Sequence, residues 1–449
     1  MNTPNQIETV QVTDAVMAAM ADVEDTSTVF DSLGGTLKPV TVPGMPQYTY
    51  IPFGFDNQLP YRIQRLIGGD EVTSQNMFFN TLTCYGDGVE MQDAETGLPT
   101  QNIDVKEWTY SQNMPQYFLN QATDMKYFFF SVAVIILSKD GKRINRLLHK
   151  DACNIRLQQA DKKGRIRNVF YADWSVGRVQ QGNVERIPLL DLRDPLGDLR
   201  RKMGLAPLAD GKIHQPVRDR KFAILLRFPT AGKQYYPVPY YSAIFRGGSY
   251  DEKRLISVGK RSKLRNQASV KYLVEINVNY WDRLCDDEGI TDLTDRAKRI
   301  AQEKENIKNF VAGIENSGKV WISGFYEDAD GHPISFVKIT NIEGNSKEGG
   351  DWADDINIAN NIICYGMNIH PNLVGAVPGK SQSNNSGSDK RELFTMKQAL
   401  EKSYHDLLLR PIELAMLYNG WSNVRPAVPM IMLTTLDSHT DAVRINPAE

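Results

Sequence analysis

Asp351-Trp-Ala-Asp-Asp-Ile-Asn-Ile-Ala-Asn-Asn-Ile-Ile-Cys-Tyr-Gly-Met367 puts Trp352, Ile356, Ala359, Ile363 and Met367 on one helical stripe, and His370-Pro371 ends that helix. A few residues on, Gly379-Lys-Ser-Gln-Ser-Asn-Asn-Ser-Gly-Ser388 contains no apolar side chain, so it has nothing to bury and reads as a loop. Asp389 and Glu392 then form a capping box for a long helix whose stripe is Leu393, Met396, Leu400, Tyr404, Leu407, Leu414 and Leu417. Pro411 removes the hydrogen bond to the Leu407 carbonyl and predicts a kink, and Gly420 closes the helix. This order of helix, polar loop and kinked helix is what the rest of the chain is read around.

Immediately upstream, Tyr272–Val278 reads as a strand, and Thr291 or Asp292 caps a helix running to Gly318. Val320–Phe325 and Ile334–Ile339 flank Asp328-Ala-Asp-Gly-His-Pro333 as a hairpin. Residues 270–340 thus form a small β-α-β-β module between two helical stretches. The first stretch, Tyr240–Ala268, is broken at Gly247-Gly248 and crowded with cations, among them Lys260, Arg261, Lys263 and Arg265.

Earlier still, residues 45–237 read as one mixed α+β domain. Leu59-Pro60 opens a helix, with proline in the first turn where its missing N–H costs nothing. A second helix, Val72–Tyr85, stops at Gly86-Asp87-Gly88. Phe128–Leu137 reads as a buried strand turning at Lys139–Lys142, Asn154–Gln158 and Ile166–Tyr171 as a hairpin across Asp161–Gly164, and Phe222–Phe228 as a strand ended by Pro229. A short helix is possible around Val12–Val23, and the prolines of Thr36–Pro46 favour an extended arm over a packed element. At the other end, Met430–Thr435 can add one more strand to the first domain.

Composition sets the class. At 449 residues with 41% hydrophobic and 24% charged residues, the chain is a folded protein of several units. A net charge of -2 argues against a protein whose main task is gripping nucleic acid, which carries a large Lys/Arg excess. The four cysteines, Cys84, Cys153, Cys285 and Cys364, form no CxxC pair, so reduced thiols are expected. The polar start lacks the features of a signal peptide, and Tyr127–Leu137 is about half the length a bilayer span needs. A soluble intracellular product is expected.

No catalytic constellation emerges. Gly375-Ala-Val-Pro-Gly379-Lys380-Ser381 has three residues between its glycines where a phosphate-binding loop needs four, and a helix precedes it instead of a strand. Asp328, Asp330 and His332 fail the calcium-loop pattern and read first as a hairpin turn. The six histidines show no HxH or HExxH spacing. Asp282, Asp286, Asp287 and Glu288 read first as an exposed acidic loop, with a metal site as the alternative. The basic segment 253–271 reads first as a solvated helix face, with nucleic-acid contact as the alternative. No cofactor, no metal and no enzymatic activity are expected.

The order of elements resembles the portal protein family of tailed bacteriophages, over about 45–420. Ile356–Pro371 is similar to the family's helix running into a His-Pro or Val-Pro end, and Asn372-Leu-Val-Gly375 to the segment after it. Ser386-Gly-Ser-Asp-Lys-Arg-Glu-Leu-Phe394 resembles its Gly/Ser loop entering the next helix, and Leu409-Arg-Pro-Ile-Glu413 its proline motif. Cys153-Asn-Ile-Arg156 and Phe170-Tyr-Ala-Asp-Trp174 resemble its wing hairpins. The motifs gain specificity from their order and spacing together. The chain stops soon after the kinked helix, unlike larger members, so little or no helical crown is expected.

The resemblance implies an α+β portal fold: an N-terminal arm (1–45), a mixed α/β wing (46–239), stem helices (240–269 and 346–372) and a clip (270–345). A tunnel-loop region (373–391) and a kinked wing helix with a C-terminal strand (392–449) complete it. It implies a homo-oligomeric ring, usually of twelve subunits, at one capsid vertex of a virion assembled in the bacterial cytoplasm, with no membrane. Double-stranded DNA would be packaged through the ring by the terminase motor and later ejected. Its partners would be the large terminase subunit, the major capsid protein and the head–tail adaptor. Gly379, Lys380, Ser381, Gln382, Asn384, Asn385 and Ser388 would face DNA; Asp286, Asp287 and Glu288 would meet motor or adaptor; Lys260, Arg261, Lys263 and Arg265 would line the channel. Another head–tail adaptor or structural ring, or a nucleic-acid-processing enzyme, are the rival readings.

Overall fold

The computed structural model describes residues 25–33, 37–177, 179–208, 211–267, 272–312, 325–327, 333–335, 337–341, 348–374 and 387–433. The chain divides into a larger unit, Glu24–Lys253 with Asp355–Glu449, and a smaller one, Met1–Val23 with Arg254–Asp354. The architecture is α+β.

The larger unit opens with a hairpin of β1 (Val40–Val42) and β2 (Met45–Ile51), followed by α1 (Leu59–Gly68) and α2 (Glu71–Tyr85). The Pro-rich segment is therefore packed where an extended arm was expected. Val40 pairs with Tyr50, and Phe30 just before it is fully buried in the core. Proline is tolerated because the segment lies at the sheet edge, where ladder hydrogen bonds are needed on one side only. Asp70 caps α2, accepting from the Val72 and Thr73 amides at 3.0 and 2.8 Å, and Gly86 ends it at φ +58°.

Next come β3 (Glu90–Asp93) and two helices absent from the sequence reading, α3 (Ile103–Ser111) and α4 (Met114–Phe128). The expected strand from Phe128 starts two residues late. Phe128 is the last residue of α4, Phe129 sits at φ +59°, and β4 is Phe130–Leu137. A bulky residue in that left-handed region is strained. Phe129 is held there by edge-on ring contacts with Phe228, Tyr240, Tyr241 and Tyr404.

β5 (Ile144–Lys150) completes the expected hairpin, with Gly141 at φ +75° in the turn. β6 (Ile155–Gln158) and β7 (Asn168–Tyr171) pair with Ile155 opposite Tyr171, as expected, and β8 (Glu185–Pro188) extends that sheet to the order β1-β2-β6-β7-β8. After α5 (Pro195–Lys202), β9 (Lys221–Arg227) pairs with β4, giving a second sheet in the order β5-β4-β9. Successive side chains of β4 point to opposite faces. Phe130, Val132 and Val134 enter one core, while Ala133, Ile135 and Leu137 enter another.

Gly247-Gly248 breaks the following helix into α6 (Ala243–Arg246) and α7 (Ser249–Gln267), as the sequence indicates. In the smaller unit β10 (Tyr272–Ile276) pairs with a later strand, but the expected strand stops short of Val278. Asn277 accepts from the Asn279 amide at 3.0 Å and caps α8 (Val278–Asp287) instead. Asp292 caps α9 (Leu293–Ala312) through the Thr294 and Asp295 amides. β11 (Phe325–Glu327) pairs with β12 (Pro333–Ser335), and β13 (Val337–Asn341) pairs with β10. The module is thus β-α-α-β-β-β among the described residues; Asp328, Asp330 and His332 lie outside them.

α10 (Glu348–Gly366) and the single turn α11 (Pro371–Val374) lead to α12 (Gly387–Leu408). Asp389 falls inside the first turn of α12 instead of capping it, a place where the helix dipole still favours a carboxylate. The expected proline break is present: Leu409 interrupts the helix and α13 (Arg410–Tyr418) begins with Pro411 in its first turn. The last strand is β14 (Val424–Ala427), antiparallel to β3 with Val424 opposite Asp93. It precedes the expected one, since Met430–Leu433 carries no strand. Residues 1–24, including the possible helix at Val12–Val23, lie outside the described residues.

Candidate functional site

Gly379, Lys380, Ser381, Gln382, Asn384 and Asn385, with the whole phosphate-loop-like segment, lie outside the described residues; Ser388 is described as part of α12 without its side chain. The frame from which that segment departs is fully described. Its entry is the turn after α10, where Asn368 takes φ +57° and Asn80 Nδ2 donates to the Met367 carbonyl at 3.0 Å. Its exit is α12. Lys397 Nζ, three turns into α12, donates back to the Asn368 carbonyl at 3.2 Å.

The faces of α12 are the reverse of the sequence stripe. Met396 and Leu400 are exposed, while Lys397 and Glu401 are buried. Glu401, 1% exposed, pairs with Lys126 of α4 through one carboxylate oxygen and lies 3.4 Å from Lys397 through the other. The Lys126 ammonium also sits 3.5 Å from the centre of the Tyr404 ring. Two cations share one buried anion, and each finds a further acceptor: a ring face for Lys126, a main-chain carbonyl for Lys397. Burial pulls the Lys397 ammonium below its ordinary range against the opposing pull of Glu401. Burial likewise pushes the neighbouring Cys84 thiol up to about 12, so it stays protonated.

One turn on, His405 Nε2–H donates to the Cys84 carbonyl at 2.8 Å, and burial holds the imidazole below its usual pKa. Gln398 pairs with both main-chain groups of Ile431, at 2.9 and 2.8 Å, and fastens the C-terminal segment along α12. The helix that leaves the loop is therefore held by polar contacts that fix its register, not by a leucine seam. The sequence reading missed these residues. Lys397 and Glu401 stand four apart and were visible as a pair, but Lys126 is 275 residues away.

In the smaller unit the three acidic residues are not equivalent. Asp286 pairs with Arg296. Glu288 takes a two-pronged grip from Arg299, with Nε and Nη2 each at 2.8 Å from a carboxylate oxygen, and Arg299 Nη1 reaches Glu303 at 2.8 Å. These hydrogen bonds hold the guanidinium above its ordinary range and Glu303 below its own. Asp287 is exposed and makes no ion pair among the described residues. Lys260 and Arg261 are exposed on α7; Lys263 and Arg265 belong to the same helix without described side chains. Among the described residues no group of three or more His, Cys, Asp or Glu side chains is placed to hold a metal, and no helix is long and apolar enough to cross a membrane.

No protein-family model matches the chain, and no curated protein sequence matches it. Solved structures do. A chain from the neck of the empty gene transfer agent particle, computed with C6 symmetry, is 12% identical with a TM-score of 0.52, covering 90% of this chain and 89% of that one. A chain from the virion of the native gene transfer agent particle is 11% identical at 0.51, covering 92% and 88%. One from the native neck computed with C12 symmetry is 11% identical at 0.50, covering 90% and 89%. The chain has the fold of a particle-neck protein. At this identity the likeness is one of fold, and it runs almost end to end on both sides. The α+β, portal-like architecture expected from the sequence holds.

Proposed function

We propose that this chain is a portal subunit: a structural, non-enzymatic ring component at the neck of a phage-like particle, through which double-stranded DNA is packaged and later released. The observation that carries the reading is the end-to-end likeness to neck chains whose assemblies were computed with cyclic symmetry. A cyclic ring repeats one head-to-tail contact, and a subunit with near-neutral charge suits a channel in which DNA must slide.

On this reading 46–239 is the wing, 240–269 and 346–372 the stem helices, 270–345 the clip, and 373–391 the tunnel loop. Residues 392–449 return to the wing, and 1–45 form an N-terminal arm. The ring has about twelve copies. It docks the terminase motor and later the head–tail adaptor by the clip, meets the major capsid protein by the wing, and is assembled in the bacterial cytoplasm. Lys380 is the cation placed to meet phosphates from the loop, and Lys260, Arg261, Lys263 and Arg265 line the channel. The frame at Asn368 and Lys397 supports this assignment, because it fixes where the loop starts and ends while the Gly/Ser/Asn composition leaves the loop free to reshape.

Negative-stain averages of the purified full-length chain test the proposal. Closed rings with a wide flange and a narrow stem are expected; monomers or open filaments refute it. Within such rings, Lys380→Ala is expected to lower DNA retention in assembled particles, and unchanged packaging and retention would remove Lys380 from the mechanism.

A further inference from the structure

Two exposed apolar surfaces of the larger unit have no role in the frame described above. The first is on α10. Ile358, Ile362 and Tyr365 are 57, 44 and 87% exposed and, at spacings of four and three, share one helical face. The opposite, buried face carries Asn360 and Cys364 beside Ala359 and Ile363. Asn360 Oδ1 is buried without a hydrogen-bond partner, as is Oδ1 of Asn80, and Asn76 Nδ2 reaches only the Cys364 sulfur, at 3.4 Å. A helix that buries amides and exposes two isoleucines and a tyrosine is inverted for life in water, and the natural reason is a protein surface over the outer face.

The second surface is the arm that follows α5. Leu205, Leu208, Ile213 and Val217 are 50, 39, 66 and 39% exposed, and every residue from 211 to 218 is exposed. The arm is nonetheless built. The Leu208 amide donates to the Lys212 carbonyl and the Val217 amide to the Lys202 carbonyl, both at 2.9 Å. Gly204, at φ +68°, lets the His214 carbonyl approach to where a Cβ would stand 2.7 Å away. A shaped excursion that shows four apolar side chains to water is a docking element.

The two surfaces suit each other. The arm carries Lys212, His214 and Arg218; Asp355–Asn368 contains an exposed Asp355 and no lysine or arginine. They also lie on opposite sides of the β5-β4-β9 sheet. Leu199 and Met203, at the root of the arm, pack in the core fed by Ile135 and Leu137, whereas Ile363 and Met367 of α10 pack in the core fed by Val132 and Val134. One chain cannot join them to itself. A second copy can, and a contact between unlike patches on opposite sides is the kind that repeats head to tail around a ring.

We propose that the 205–217 arm of one copy seats on the Ile358–Ile362–Tyr365 face of a second copy of this chain. This rests on the ring reading and names the contact that closes it. The test uses the full-length chain with Ile362→Arg, with Ile213→Asp, and with Ile103→Arg as a control at an equally exposed position on neither patch. Mass photometry is expected to show at least a tenfold rise in the concentration needed for assembly for each of the first two, with the control unchanged. Monomer melting temperatures should stay within a degree or two, since all three side chains are exposed. As a second measurement, the Ile213→Cys/Ile362→Cys double variant treated with a short bis-maleimide should give a ladder of covalent oligomers that neither single variant gives. Rings that survive both substitutions and yield no ladder overturn the pairing and leave the ring reading standing; the occupant of these surfaces is then another protein. A ladder from Ile362→Cys alone overturns it by showing like patches in contact. A wild-type chain that never assembles overturns both readings.

Discussion

Lys397 Nζ donates to the main-chain carbonyl of Asn368 at 3.2 Å, so the helix that follows the loop is tied to the turn that precedes it. The same ammonium shares Glu401 with Lys126, and all three side chains are at most 6% exposed. Removing the anion leaves two buried cations without compensation, a change that costs about 3–5 kcal/mol in comparable sites. Glu401→Ala is therefore expected to lower the denaturant midpoint strongly. Lys126→Met/Glu401→Met, which removes both members of the closer pair and keeps their volume, should lose much less. Equal losses in the two variants would mean that Glu401 acts by packing and not by charge.

The pH response follows from His405. Its folded pKa is depressed by burial, whereas the unfolded chain titrates near about 6.5. The unfolded state thus takes up a proton first. The contribution of the neutral imidazole to stability is complete above that pH and is lost as the pH falls through it toward the folded value. Melting temperature should drop between pH 7.5 and 5.5, and His405→Gln, which keeps a donor toward the Cys84 carbonyl, should flatten that drop. An unchanged slope in His405→Gln would place the titration elsewhere.

Gly366 ends α10 against α6, where an added Cβ would stand 2.3 Å from Ile244 Cγ2. Overpacking of this kind costs about 1–3 kcal/mol. Gly366→Ala is expected to destabilise in that range, and Ile244→Ala in the same chain should return part of the loss, because it removes the atom that clashes. A double-mutant cycle measures the coupling directly; additive effects would show that α10 simply moves aside.

What could be read from the sequence was local and repeated. Asp70 before an apolar helix, Pro60 in a first turn, Gly247-Gly248 between two helices and Pro411 within a third each act over a few residues, and each does in the structure what its chemistry requires. What failed depended on distant partners. Val278 continues the apolar run of β10, so only the Asn277 cap separates strand from helix there. Met396 and Leu400 looked like core because nothing nearby announces that Lys126, far upstream, turns the buried face of α12 toward Lys397 and Glu401. The strand at Val424–Ala427 contains Pro426, which argued against it locally, yet it lies on the edge of a two-stranded ladder with β3 where that proline is harmless.

The acidic cluster of the smaller unit can be dissected residue by residue. Asp286 and Glu288 already have arginine partners in α9, so their substitution chiefly loosens the α8–α9 pair. Exposed pairs of this kind contribute little to stability. Asp287 points its exposed carboxylate at solvent with no ion pair among the described residues, so it is the member of the three free to meet a basic partner surface. Asp287→Lys is expected to leave ring formation and melting temperature unchanged while weakening binding of the packaging motor, most visibly at low salt where surface charge is least screened. Asp286→Asn and Glu288→Gln should bind the motor like the unaltered chain. Motor binding that is insensitive to Asp287→Lys at every ionic strength would detach this cluster from the docking surface and leave it as the outer edge of a helix pair.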